Sequence, residues 1–303
     1  MTLEPVPSPS PSPTPYALSS WRLVHLELPA DLAGHLVNGV SSDGRLVLVQ
    51  EPQAAQSVHL IVSATDVRDL IVPGHTQGAP IGSVLSPDGH FVLLSELGQA
   101  WQYDIASMVY SALPNPPGTT GGQFSVVDAQ HLLVLTGPLA SYEFGGTTNT
   151  QLWRLDLNTL TYTKLGMRHD GIAANPTAEG GAVLLVDTSP HHDNTGWIFY
   201  RILPDGSDHV LYDYRAHYPG PLNFAVARDG QSLAFTNTAG RASLYEGSSG
   251  AGREVGAGIV RDFSPDSVLL RLEQKDGTVE AVDRSGTIVY SVPGPASGWI
   301  RVP

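Results

Sequence analysis

A turn followed by an apolar strand recurs six times along the chain, and this repeat constrains the fold more than any other feature. Its best copy reads Ser86-Pro87-Asp88-Gly89 and precedes the apolar run Phe91 to Leu94. Asp-Gly favours a tight hairpin, because glycine adopts positive φ freely and the Asp side chain accepts hydrogen bonds from the turn backbone. The apolar run is typical of a strand buried on both faces. Copies begin near residues 41, 86, 127, 177, 227 and 264.

Each copy extends into a larger unit of four short strands. The second copy continues with a strand containing Trp101 and Asp104, and the third shows a strand after the next turn, around Tyr162 to Leu165. Units start 37 to 50 residues apart, and four strands per unit at this period are typical of propeller blades. A β-sandwich also uses many short strands, but it does not need one unit six times. We therefore predict an all-β chain with a single β-propeller over residues 17–303.

The hairpin S-P-D-G with its apolar strand, followed by a strand of pattern aromatic-x-x-Asp, resembles the TolB-type propeller repeat, which is related to WD repeats. The resemblance covers residues 20–303 and is best over 86–113. Pro-Asp-Gly is missing at 127–130 and 177–180, which leaves six or seven blades open. Single strands are also expected near each end of the domain. We predict that they pair in one blade and close the ring, which removes exposed sheet edges.

The first 16 residues differ in composition from the rest of the chain. Proline occupies every second position from Pro5 to Pro15, with Val6 and then Ser or Thr between, and proline lacks the backbone N–H that helices and sheets require. Such a segment favours extended polyproline II and acts as a semi-rigid spacer. We predict a disordered tether over 1–16 that holds the domain at a bacterial cell surface or elsewhere outside the cytoplasm. A cytoplasmic location is the alternative.

Charge and composition exclude several partners. The formal net charge is −13 and no basic cluster is visible, which argues against nucleic acid and against docking on an anionic membrane. No run of 18 apolar residues and no basic-then-apolar leader occurs, so neither direct membrane insertion nor a signal peptide is predicted. Cysteine is absent, which excludes disulfides and thiolate chemistry.

Most of the unusual polar residues lie in the middle of the chain. Histidine and carboxylate side chains suit zinc or manganese binding and proton transfer. Their spacing matches no defined ligand motif, so no cofactor is predicted, and a divalent metal belongs only to an enzymatic alternative. The candidate catalytic residues under that alternative are His169, His191, His192 and His217. The candidate ligand-binding residues are Asp170, Asp193, Trp197, Arg215 and Tyr218.

Two functional classes follow from this sequence. A complete repeat scaffold without a Gly-x-Ser-x-Gly elbow or a phosphate-binding loop favours a non-enzymatic propeller that binds a protein or glycan through one ring face. The alternative is a carbohydrate-active lyase or hydrolase with a His-rich site in blades 4 and 5, and TolB-like folds include metal-assisted uronate lyases. A tethered sensor domain is a third interpretation.

Overall fold

The chain folds into short antiparallel strands arranged as a ring of blades. The computed structural model describes residues 19–52, 57–137, 150–166, 171, 173–187, 197–214, 223–247, 252–294 and 296–302. One turn of 3-10 helix spans Ala30–Leu32, and no helix in these ranges is long and apolar enough to span a membrane. The tether predicted for 1–16 lies outside the described residues.

Six sheets of four strands each form the blades, and each sheet follows chain order. Blade 1 contains β2 (Leu36–Val40), β3 (Val47–Gln50), β4 (Val58–Ser63) and β5 (Asp66–Leu70). Blade 2 contains β6 (Gly82–Leu85), β7 (Phe91–Glu96), β8 (Gln99–Asp104) and β9 (Val109–Ala112). Blade 3 contains β10 (Gln123–Val126), β11 (His131–Thr136), β12 (Gln151–Asp156) and β13 (Thr161–Lys164).

The second half of the ring repeats this order. Blade 4 contains β14 (Ala173–Pro176), β15 (Ala182–Asp187), β16 (Trp197–Ile202) and β17 (Asp208–Asp213). Blade 5 contains β18 (Asn223–Val226), β19 (Ser232–Thr236), β20 (Arg241–Glu246) and β21 (Gly252–Ala257). Blade 6 contains β22 (Ile259–Phe263), β23 (Leu269–Glu273), β24 (Val279–Asp283) and β25 (Ile288–Val292).

The two end strands form a seventh, two-stranded sheet that we call the closure sheet. β1 (Trp21–His25) pairs antiparallel with β26 (Ser297–Arg301), in a register that places Leu23 opposite Trp299. β26 contacts β2 of blade 1, and β1 contacts β25 of blade 6. The predicted pairing of the chain ends is therefore confirmed. It also accounts for the uncertain blade count, because six complete blades share the ring with one incomplete one.

The hydrophobic core lies between blades rather than within them. Successive residues of β7 face opposite neighbours: Val92 and Leu94 pack with blade 1, whereas Phe91 and Leu93 pack with blade 3. Similar clusters join blades 3 to 6 in order and join the closure sheet to blade 6, and a further cluster joins the segment 26–32 to blade 1. A strand buried on both faces needs apolar residues at every position. The continuous apolar runs of the sequence are a direct consequence of this packing.

The first strand of each blade lies nearest the ring axis. β18 contacts β22, β2 contacts β6, and β10 contacts β14, so neighbouring blades meet through their first strands. Strands alternate in direction, and every first strand therefore ends at the same face of the ring. We call this the turn face, because it carries the turns between first and second strands. The opposite face, where first strands begin, is called the loop face.

Candidate functional site

The turn face is held together by hydrogen bonds of the repeated motif. Ser86 is fully buried, and its hydroxyl accepts the backbone N–H groups of His90 and Phe91, both at 3.0 Å. Ser41 and Ser264 have the same role in their own turns and also donate to the turn Asp, each at 2.7 Å. The repeated aspartates therefore serve turn chemistry, as the sequence predicts.

The turns of neighbouring blades are also bonded to one another. The N–H of Ser42 donates to the carbonyl of Pro87 at 2.9 Å, and that of Ala178 donates to the carbonyl of Arg228 at 2.7 Å. Ser19 donates to Asp266 at 2.9 Å, which attaches the chain ahead of β1 to blade 6. The polar groups of this face bond mainly to each other, so they maintain the ring.

Arg284 is the most extensively bonded cation on this face. Its guanidinium donates to Asp229 and to Glu246, both at 2.7 Å, and to the carbonyl of Ser267. Burial acts to raise the pKa of Asp229, but hydrogen bonds from the Gln231 N–H and from Arg284 outweigh it and hold the pKa below its ordinary value. This residue set links blades 5 and 6 through charge-assisted hydrogen bonds, which are stronger than neutral ones.

Of the nine candidate residues named from the sequence, only Trp197 is described. The other eight, namely His169, Asp170, His191, His192, Asp193, Arg215, His217 and Tyr218, lie outside the described residues. Trp197 begins β16 at the loop face, 9% exposed, with its ring edge-on to Phe224 of blade 5 at 5.7 Å. Its indole nitrogen has no hydrogen-bond partner among the described residues. Trp197 packs between blades, and its role in ligand contact stays a prediction.

The strand ends of blade 4 show where the eight candidates attach. β13 ends at Lys164 and β14 begins at Ala173, while β15 ends at Asp187 directly opposite Trp197. The end of β17 and the start of β18 also lie at the loop face. Asp213 pairs with Ile198, the residue after Trp197, and Asn223 pairs with Thr236 at the end of β19. All three connections that carry the candidates therefore leave and rejoin the blades at one face.

A cleft of about 680 Å³ opens beside the closure sheet, on the same face of the ring. Its place follows from the strand ends that line it: β1 ends at His25, β26 begins at Ser297, and β23 ends at Glu273. The segment 26–38 forms one wall, and β22, β23 and β24 of blade 6 form the other. Clefts of this size are typical of small-ligand sites.

The polar groups of the cleft include one exposed ion pair. Arg261 donates from Nε to Glu273 at 2.7 Å, and its Nη2 lies 2.5 Å from the same carboxylate. Arg271 has a structural role, because it donates to Asp262 at 2.6 Å and to the Ser297 carbonyl at 2.9 Å. Trp299 donates to the other oxygen of Asp262 at 2.8 Å. These bonds fix the closure sheet to blade 6 and give the cleft a rigid floor.

Further polar side chains line the cleft from the opposite wall, among them His25, Glu27 and His35. His25 and Glu27 are exposed and make no side-chain hydrogen bond within the described ranges, and His35 lies edge-on to His59 with ring centroids 5.3 Å apart. Within the described part of the chain, no three His, Asp or Glu side chains are grouped so as to hold a metal ion. The polar side chains that line the cleft can donate and accept hydrogen bonds.

Sequence reasoning missed this cleft, although one signal for it was present. The first strands of blades 1 to 5 are all described and contain no charged residue, whereas β22 of blade 6 carries Arg261 and Asp262. A charged pair in a strand next to the ring axis departs from the repeat. An alignment of the six repeats would have shown this departure. It would not have shown that the segment 26–38 forms the other wall of the cleft.

Comparison with known proteins identifies the fold. No protein-family model and no curated protein matches the sequence. Among solved structures, the chain is similar to TolB from Acinetobacter baumannii, with TM-score 0.53 and 14% identity over 84% of this chain and 65% of that chain. It is similar to a streptogramin B lyase, with TM-score 0.54 and 13% identity over 90% of this chain and 87% of that one.

Virginiamycin B lyase from Staphylococcus aureus is a further similar structure, with TM-score 0.54 and 14% identity over 90% of this chain and 88% of that one. At these identities the likeness concerns the fold alone. The chain spans about two thirds of the length of TolB. It is a β-propeller with six four-stranded blades. The relatives include lyases as well as TolB, so the fold is compatible with both predicted functional classes.

Proposed function

We propose that this chain is a non-enzymatic binding propeller that takes a protein or glycan ligand on its loop face. The observation that carries the proposal is a contrast between the polar side chains of the turn face and those of the cleft. On the turn face, residues such as Ser86 and Arg284 are bonded within the ring. In the loop-face cleft, the side chains of His25 and Glu27 have no such partner among the described residues. Polar groups that converge on a concave site without internal partners favour ligand recognition.

The absence of cysteine allows a direct test of this face. Leu36 is 52% exposed and lines the cleft, whereas Met108 is 61% exposed in the turn between β8 and β9 on the turn face. Leu36→Cys and Met108→Cys would each be coupled to a maleimide polyethylene glycol. Both proteins would then be compared with wild type on an array of oligosaccharides and a library of peptides. We expect the label at position 36 to abolish the captured interactions and the label at 108 to preserve them.

Three results would contradict the proposal. The first is binding that survives the label at position 36 but is lost with the label at 108, because the ligand would then occupy the turn face. The second is a chemical change in a captured ligand, detected by mass spectrometry after prolonged incubation with the protein. Failure of every ligand class to bind would also count against it.

The enzymatic alternative has its own supporting observation. The connections that contain His169, His191, His192 and His217 leave the described strands at a single face of blade 4. A lyase or hydrolase on carbohydrate would need these imidazoles near one another, with or without a divalent metal. Metal analysis of the purified protein and assay of uronate-containing and neutral polysaccharides test it. Turnover that is lost in His191→Ala and His217→Ala would establish this alternative and overturn the binding proposal.

We also propose an extracytoplasmic, surface-tethered location, supported by the proline at every second position from Pro5 to Pro15. A spacer of this kind keeps a domain at a distance from its anchor. Treatment of intact cells with a protease that cannot enter them should remove the domain. Protection of the domain in intact cells, with cleavage only after lysis, would instead place it in the cytoplasm.

A further inference from the structure

We propose that the cleft beside the closure sheet binds a neutral sugar, one or two rings in size, and that the Arg261–Glu273 pair is its main hydrogen-bonding element. This inference rests on the proposed function, since it names the ligand class for the loop face. It concerns residues of segment 25–38 and blade 6, which are separate from the His-rich connections of blades 3 to 5.

The size and the walls of the cleft suit one small ligand. Its volume of about 680 Å³ lies within the ~300–1,000 Å³ that is usual for such sites. One wall carries Leu26, Leu28 and Leu36, and the other carries Val279. Sugar rings present C–H groups on their faces and hydroxyls at their edges, so apolar walls with polar groups between them match their surface.

The side chains that line the cleft carry no net formal charge, which favours a neutral ligand. Arg261 and Arg271 are matched in number by Glu27 and Glu273, and Asp262, which pairs with Arg271, lies outside the lining. A strongly anionic ligand would meet the two glutamates, and a cationic ligand would meet Arg261. A neutral ligand avoids both costs, because neither partner of an existing ion pair has to be displaced.

The Arg261–Glu273 pair is arranged to bond hydroxyl groups. Glu273 receives Arg261 on one carboxylate oxygen, Oε2, so the other oxygen can accept a hydroxyl hydrogen. Arg261 retains N–H groups of its planar guanidinium that can donate to a hydroxyl oxygen. Each side chain holds the other in place, which lowers the conformational entropy lost when a ligand binds. Adjacent hydroxyls of a sugar can both donate and accept, and such a paired site supplies both functions.

The position of this pair separates it from ordinary surface ion pairs. Arg261 lies in a first strand, at an irregularity in the register where Val260 and Asp262 take consecutive partners in β23. Bulges re-aim a side chain and are frequent next to functional sites. Glu273 ends β23 in the same blade. The bulge projects Arg261 into the cleft, whereas the Arg241–Glu254 pair of blade 5 joins two outer strands.

The test uses isothermal titration with the methyl glycosides of glucose, galactose, mannose and N-acetylglucosamine, and with maltose and cellobiose. We expect at least one neutral sugar to bind wild type, with affinity unchanged between low and high salt. Arg261→Ala and Glu273→Gln should each weaken that binding by about tenfold or more. Arg241→Ala is the matched control, since it removes an exposed arginine from an Arg–Glu pair outside the cleft, and it should bind as wild type does.

Each outcome decides between this inference and the proposal on which it rests. Methyl glucuronide that binds more tightly than every neutral sugar and depends on Arg261 would overturn the neutral class. No sugar binding, with peptide binding that is blocked by the label at Leu36→Cys, would overturn the inference and leave the loop face as the binding face. Sugar binding that the label at Met108→Cys blocks would overturn both. Thermal melts of every variant exclude loss of the fold as the cause.

Discussion

The turn motifs and the loop-face cleft of this propeller use their polar residues in different ways. On the turn face, the hydroxyls of Ser41, Ser86 and Ser264 are buried and bonded to the backbone of their own turns. On the loop face, the cleft has exposed side chains at His25 and Glu27. Polar groups that are saturated within the protein stabilise it, and polar groups that remain available recognise something else. Residues that recur from blade to blade therefore mark the scaffold, and departures from the repeat mark the candidate site.

The largest expected effect lies on the turn face, at Arg284. Arg284→Ala would leave Asp229 and Glu246 without their shared partner in a site where the Arg284 side chain is only 18% exposed. We expect a loss of about 3 kcal/mol in the free energy of unfolding, measured by urea denaturation. Arg241→Ala, which breaks an exposed pair, should cost less than about 1 kcal/mol. Equal losses in the two variants would remove the distinction between a buried linkage and a surface pair.

A smaller loss of stability is expected when the buried hydroxyl of Ser86, in the best copy of the motif, is removed. Ser86→Ala leaves the N–H of Phe91 without its acceptor, and the N–H of His90 keeps only its longer bond to Asp88 at 3.3 Å. We expect a cost of about 1–3 kcal/mol in unfolding free energy, because buried donors without a partner are destabilising. Blade 5 has Ala227 at the equivalent position, and there Asp229 accepts from Gln231 and Ser232 instead. A Ser86→Ala protein as stable as wild type would show that the motif serine is dispensable.

A pH-dependent effect should distinguish Asp229 from an exposed carboxylate. Its pKa is lowered in the folded protein, so its contribution to stability is complete above the unfolded value of about 3.9 and is lost as the pH falls through the folded value. The stability difference between wild type and Asp229→Asn should therefore be large at pH 6 and shrink below about pH 4. Asp31→Asn, which removes one carboxylate from an exposed position, is the control for the loss of a single negative charge. A difference that stays constant with pH would contradict the assigned charge linkage.

The smallest stability effect is expected in the cleft itself. Arg261 is 44% exposed and Glu273 is 24% exposed, and pairs of this kind contribute little to folding. Arg261→Ala should change the unfolding free energy by less than about 1 kcal/mol, measured under the same conditions as Arg284→Ala. A loss as large as that of Arg284→Ala would mean that the pair belongs to the scaffold rather than to a recognition site.

Much of the fold could be predicted from the sequence, because the repeat is visible in it. The turns at Asp88-Gly89 and the strand at Trp101 to Asp104 lie where they were expected, with Gly89 at φ 72°. The copies without Pro-Asp-Gly also form complete blades. Gly180 supplies positive φ in blade 4, and in blade 3 Asp128 accepts from the N–H groups of Gln130 and His131. Packing between blades requires apolar residues on both faces of a strand, and this requirement is visible in the sequence as a short continuous apolar run.

The candidate site could be predicted much less well. Its walls come from residues 25–38 and from 261–297, which are far apart in the sequence and meet only because β1 pairs with β26. The closure of the ring was predicted, but which side chains it would bring together was not. The sequence drew attention instead to the histidines between 169 and 217, whose attachment to the loop face is consistent with the strand ends. Their role as ligand or catalytic residues stays a prediction.

Hydrogen exchange with and without the tightest-binding sugar tests the division between the two faces most directly. We expect slower exchange in peptides covering residues 25–38 and 259–273, which line the cleft. We expect unchanged exchange in the turns at 41–46 and 86–91, whose amides are already bonded within the ring. Protection confined to the turn-face peptides, with none at the cleft, would contradict this division.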